Sequence, residues 1–204
     1  MVKGALYELL STSWPTLVIF MVILILLRIF YYRNSSHKFI LHEEIFLLVF
    51  VAYILLLFEL VTSRDVSISG TNLVPFKEMF RYPIGSSNFY RQVIGNIVLF
   101  IPFGFFASYY TKIKNTGSIT LMSLLVSLTI ELVQRRIGRS FDIDDIILNV
   151  LGGILGFFIY VGLDAIGKRL PSFFRSDKFL SLISIVILAL VVLYLMGMIN
   201  FGWL

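Results

Sequence analysis

Apolar residues gather in six runs along the chain, at about 14–32, 44–61, 94–110, 119–134, 146–162 and 179–199. Runs of that length suit α-helices that cross about 30 Å of hydrocarbon. Inside lipid the backbone must satisfy its own polar groups, which a helix does within one segment. The period-two alternation of a membrane β-barrel is missing, and a run such as Leu55-Leu56-Leu57 is apolar on every side. The pattern predicts an all-α, polytopic membrane bundle of about six transmembrane helices. The first run exceeds the apolar core of a signal peptide, and no small-x-small cleavage site follows it. It is read as a retained helix, with Arg28 near its end reaching the headgroups.

Composition supports this pattern. Of 204 residues, 58% are hydrophobic and 14% charged, against about 25% charged in a soluble domain. Six spans of about 20 residues leave room for loops and one longer connection, but not for a separate soluble domain. A water-soluble enzyme and a disordered or fibrous chain are both excluded. With no cysteine, disulfides, thiolate nucleophiles and iron–sulfur clusters are excluded too. The net charge of +5 suits chain orientation and anionic lipid rather than nucleic acid. Counted by side, Lys and Arg tie; by density, segments 33–44, 111–118 and 163–178 win and are expected on the cytoplasmic face. The 62–93 connection and the 134–145 loop then face outward.

Polar residues inside membrane spans are costly and tend to mark function. In the fourth run Ser123, Ser127, Glu131 and Gln134 share one helix face. In the fifth, Asp142, Asp145, Asn149, Gly152 and Gly156 draw a second stripe, with glycines that let another helix come close. A loop of about ten residues carrying Arg135, Arg136 and Arg139 joins the two, so both acidic ends are expected in one outward-facing polar cleft built from the second to fifth spans. The third span adds Arg91 and Asn96. Plain alternatives stand beside this reading: Asp142 as a helix cap at the positive end of the macrodipole, Asn149 as a helix–helix hydrogen bonder, the glycines as packing, and Asp144 in a local role off the stripe. The 62–93 connection mixes Phe76, Phe80, Tyr82, Phe89 and Tyr90 with Lys77, Arg81 and Arg91. It reads either as a segment lying in the membrane interface or as an ordinary surface loop.

Five motifs then occur in order: Asn72-Leu-Val-Pro-Phe76, Asn96-Ile-Val-Leu-Phe-Ile-Pro-Phe-Gly104, Leu128-Thr-Ile-Glu-Leu-Val-Gln134, Asp142-Ile-Asp-Asp-Ile-Ile-Leu-Asn149 and Gly152-Gly153. Together they resemble the VanZ-like family of bacterial membrane proteins. The resemblance covers about 45–200 and leaves 1–44 as an added transmembrane helix and loop. It implies a multi-pass protein of the bacterial cytoplasmic membrane. It also implies a role in resistance to teicoplanin, a lipid-bearing glycopeptide, or in the cell envelope. The polar positions that match are Asn96, Glu131, Gln134, Asp142, Asp145 and Asn149.

Three functions remain open, and whether the protein is an enzyme is undecided. As an enzyme on an envelope lipid or lipid-linked precursor, it would use Glu131, Asp142 and Asp145 as catalytic carboxylates. Asn96, Gln134, Arg135, Arg139, Asn149 and Arg91 would bind substrate. Asp142 and Asp145 would be candidate ligands for a divalent cation, Mg²⁺ or Ca²⁺. As a non-catalytic binder, the same cleft would hold a lipoglycopeptide or lipid headgroup. A transporter or flippase ranks third, since the polar groups collect at one membrane face and no inverted repeat is visible.

Overall fold

In a computed structural model of the chain, residues 2–62 and 71–195 are described, with side chains over 13–60 and 71–193. Among them are six long helices: α1 Val2–Asn34, α2 Leu41–Thr62, α3 Ser87–Thr111, α4 Thr116–Arg136, α5 Ile143–Arg169 and α6 Asp177–Leu195. The chain is all-α. Five segments are long and apolar enough to cross a membrane: Ser13–Asn34, Leu41–Leu60 and the whole of α3, α4 and α5. The sixth expected span, 179–199, corresponds to α6 up to Leu195, and its last four residues lie outside the described ones.

The chain divides into two compact units: 1–59 with 169–204, and 60–168. In the first, Arg28 does not simply reach for headgroups. Its Nε and Nη2 donate to the two oxygens of Glu44 at 2.7 and 2.5 Å, and Tyr32 Oη donates to the same carboxylate at 2.7 Å. His42 lies in the first turn of α2 and faces Ser181 of α6 at 3.5 Å.

The second unit is α3, α4, α5 and the segment that leads into them. Helix α3 contains a π turn over Tyr90–Ile94 and carries Pro102 in its interior. Helix α4 starts at Asn115, whose Oδ1 accepts the Ser118 N–H at 2.8 Å, a side-chain cap. It ends at Gly138, where φ is 91°. There Arg139 N–H reaches the Gln134 carbonyl and Gly138 N–H that of Arg135, a Schellman motif that needs a residue tolerant of the left-handed region. This turn reverses the chain within a few residues and brings α5 back beside α4.

The glycine stripe does what its composition suggests. A Cβ on Gly153 would run into Ser123 of α4, one on Gly104 into the Gly153 backbone, and ones on Gly152 and Gly156 into the carbonyls of Ile97 and Ile101 of α3. Helices α3 and α5 therefore pack backbone against backbone, as small residues allow in lipid. Phe100, Ile119, Leu148 and Phe157 fill the remaining core.

Candidate functional site

Asp142 precedes the first residue of α5, and its Oδ1 accepts the Asp144 N–H at 2.9 Å, so it caps the helix. The segment before α3 crosses this point. Asn72 N–H donates to the Phe141 carbonyl at 2.8 Å and Ile143 N–H to the Asn72 carbonyl at 3.1 Å, a parallel bridge of one residue pair. Asn72 Nδ2 then donates to Asp142 Oδ1 at 2.8 Å. Beyond Pro75 the chain turns through Phe76, a non-glycine residue at φ 67°, a conformation that costs about 1–2 kcal/mol. Asp144 stabilises it. Its carboxylate accepts the N–H groups of Phe76 at 2.5 Å, Glu78 at 2.7 Å and Met79 at 3.0 Å.

Two further carboxylates arrive from the helices. Glu131, 1% exposed, accepts the Asp142 N–H at 2.8 Å. With the Gln134 amide turned to match its neighbours, Nε2 donates to Glu131 at 3.0 Å and its oxygen accepts from Arg139 Nη1 at 3.3 Å. Asp145, half-buried, accepts from Asn96 Nδ2 at 2.5 Å. Burial pushes the Asp142 carboxyl above its ordinary range, against the Asp144 N–H and Asn72 amide that favour its ionised form; the charges of Asp144 and Glu78 push it further up.

Of these groups, Asn72, Gln134, Arg139, Asp142, Asp144 and Asp145 border a cavity of about 340 Å³. Its lining includes Asp142, Asp144, Asp145 and Glu78, with Arg81, Arg139, Gln92 and Gln134. Arg81 donates to Glu78 at 2.9 Å. Of the residues expected from sequence, Glu131, Gln134, Arg139, Asp142, Asp145 and Asn96 come together in this network. Arg135 and Arg91 do not join the lining and are exposed, because the Schellman turn carries Arg139 back toward Gln134 while Arg135 stays on the outer face of α4. Asn149 lies deeper. Its Nδ2 donates to Ser127 Oγ at 2.9 Å, a bond between α4 and α5 of the packing kind. The cleft described is made by α3, α4, α5 and the segment 72–82.

Sequence reasoning gave Asp144 a local role and passed over Asn72, Glu78 and Arg81 as site residues. Asp144 does lie off the 142–145–149 stripe, and what spacing did not show is its partner, the 76–79 turn. Asn72 opens the first of the five ordered motifs, which is the signal available for it in the sequence. Among the described residues no group of three or more His, Cys, Asp or Glu side chains is placed to hold a metal. Asp142 already accepts two hydrogen bonds on one oxygen and Asp145 one.

The sequence model of the VanZ/LLP1 family matches residues 44–165, more than half of the chain. The chain belongs to the VanZ/LLP1 family. It is similar to Protein VanZ of Enterococcus faecium, with 29% identity over 116 residues, 55% of this chain and 68% of that protein. No solved structure matches. The family match takes in Asn72, Glu131 and the three aspartates, so the network lies wholly within the family region. With five segments among the described residues long and apolar enough to cross a membrane, the chain is a VanZ/LLP1 family membrane protein.

Proposed function

We propose that the protein acts in lipoglycopeptide resistance of the teicoplanin type, at the outer face of the bacterial cytoplasmic membrane. Its polar cavity would bind a lipid-bearing envelope molecule, either the antibiotic or a lipid-linked precursor. One observation carries this reading: an acidic network inside the family region walls a cavity at one end of three helices long and apolar enough to cross a membrane. Four carboxylates and two guanidiniums line it. That balance suits a ligand presenting ammonium and hydroxyl groups beside one anionic group better than a bare phosphate. An acyl chain in the adjoining lipid would add about 0.8 kcal/mol per buried CH₂.

Binding is preferred to chemistry because most of the carboxylates are already engaged. Asp144 holds three backbone N–H groups, Asp142 caps α5, and Glu131 holds the Asp142 N–H. Catalysis is the second reading. It rests on Glu131, a deeply buried carboxylate beside an amide and within the network that reaches Arg139, the setting in which a general acid or base is tuned. A Mg²⁺ or Ca²⁺ ion on Asp142 and Asp145 belongs to that reading.

The test compares teicoplanin susceptibility and envelope-lipid mass spectra of cells expressing wild type, Glu131→Gln, Asp145→Asn or Arg139→Ala. Binding predicts graded losses of protection, with Arg139→Ala losing at least as much as the others, and unchanged lipid and precursor profiles. A new lipid or precursor species that appears with wild type and vanishes with Glu131→Gln would replace binding by catalysis.

A further inference from the structure

The segment between Asn72 and α3 has two faces. One walls the cavity, through Glu78, Met79, Arg81 and Tyr82. The other bears Leu73, Val74, Phe76, Phe80 and Ile84, all exposed, Phe80 at 79% and Ile84 at 89%. We infer that residues 73–84 form an arm seated in the headgroup region of the bilayer, its large apolar side chains inserted among lipids while its other face walls the cavity.

Three observations fix the occupant as lipid. The arm runs directly into Ser87, the first residue of a membrane-crossing helix, so its apolar strip lies within a few residues of the bilayer boundary. Irregular backbone is tolerated near hydrocarbon only where its polar groups are satisfied. The Asp144 carboxylate supplies that satisfaction, taking three N–H groups of the turn, and the Asn72 bridge fastens the arm's base. Lys77 within the strip and Arg91 beyond it are exposed cations, the charge that suits headgroup phosphates. A strip of five large apolar side chains on a held turn, accompanied by cations, has the chemistry of an interfacial anchor. It also gives the cavity a wall at lipid level, so that a lipid-borne ligand meets the site from within the leaflet.

Site-directed spin labelling tests this directly, because the chain contains no cysteine. Phe80→Cys, Ile84→Cys and, as an aqueous control, Lys114→Cys would be labelled in the full chain. Lys114 lies exposed in the connection between α3 and α4. The chain would be reconstituted into phosphatidylcholine vesicles containing phosphatidylglycerol, and collisions with oxygen and with a water-soluble nickel chelate compared. All three positions are on the surface, so folding is not at stake. Seating in lipid predicts a shift toward oxygen at 80 and 84 and toward nickel at 114. Nickel access at 80 and 84 equal to that at 114 would overturn the inference. Labels shielded from both reagents would also overturn it, in favour of a protein partner covering the strip. Depth is read without any ligand, so its outcome is separate from that of the susceptibility test.

Discussion

Each unit buries a charged residue, and the two do so in opposite ways. In the first, Glu44 meets a single cation, with both Arg28 donors on its two oxygens and Tyr32 completing the set. In the second, four carboxylates share a small volume with two guanidiniums, and what holds them is mostly backbone N–H and amide. A one-to-one ion pair of this kind is interchangeable in principle with apolar residues of the same volume. Carboxylates held by main-chain donors are not, since removing them orphans the donors they satisfied. The first arrangement therefore fastens helices, whereas the second shapes a loop and leaves acidic surface facing a cavity.

The largest expected effect is at Asp144. Replacing it by Ala strips three N–H groups of their acceptor and leaves Phe76 in a strained conformation without support, a loss of about 3 kcal/mol. Detergent-solubilised protein should melt earlier, and limited proteolysis should open 73–86 before any helix. If Asp144→Ala proved as stable as wild type, the distinction between the units would fail.

The ion pair of the first unit should behave differently. Arg28→Ala alone leaves Glu44 without its cation, and because Arg28 is about one-third exposed the loss is held to about 1–2 kcal/mol. Arg28→Met combined with Glu44→Leu should recover most of it, within about 1 kcal/mol of wild type. Thermal unfolding of the two variants measures the difference. A double variant as damaged as the single one would mean that this pair, too, does more than fasten helices.

The sequence carried the parts of this picture that depend on periodicity. Apolar runs marked the membrane helices, and the stripes on 123–134 and 142–156 correctly joined α4 to α5, because helical spacing fixes which residues share a face. Glu131 and Asp142 meet as that spacing required. The rest depends on where helices stop. The left-handed Gly138 decided which arginine turned inward. The arm itself has no period to read. Its shape is set by contacts with Asp142 and Asp144, about 70 residues away in sequence, which no local pattern encodes.

The smallest predicted effect lies at Asp142, whose carboxylate is held by one main-chain N–H and one amide. Burial raises its folded pKa above the unfolded value, despite the Asp144 N–H and the Asn72 amide. For a raised pKa the folded state binds the proton more tightly, so the stabilisation is complete below the unfolded value, about 3.9. It is lost as pH rises through the folded value. Asp142→Asn keeps an oxygen for Asn72 and for the Asp144 N–H, and it cannot ionise. Stability measured across the carboxylate range and above should therefore decline with pH more in wild type than in Asp142→Asn. Subtracting one curve from the other removes the neighbouring carboxylates from the comparison. Parallel curves would mean that solvent reaches Asp142 freely and that a main-chain donor on a carboxylate is not enough to withdraw it from water.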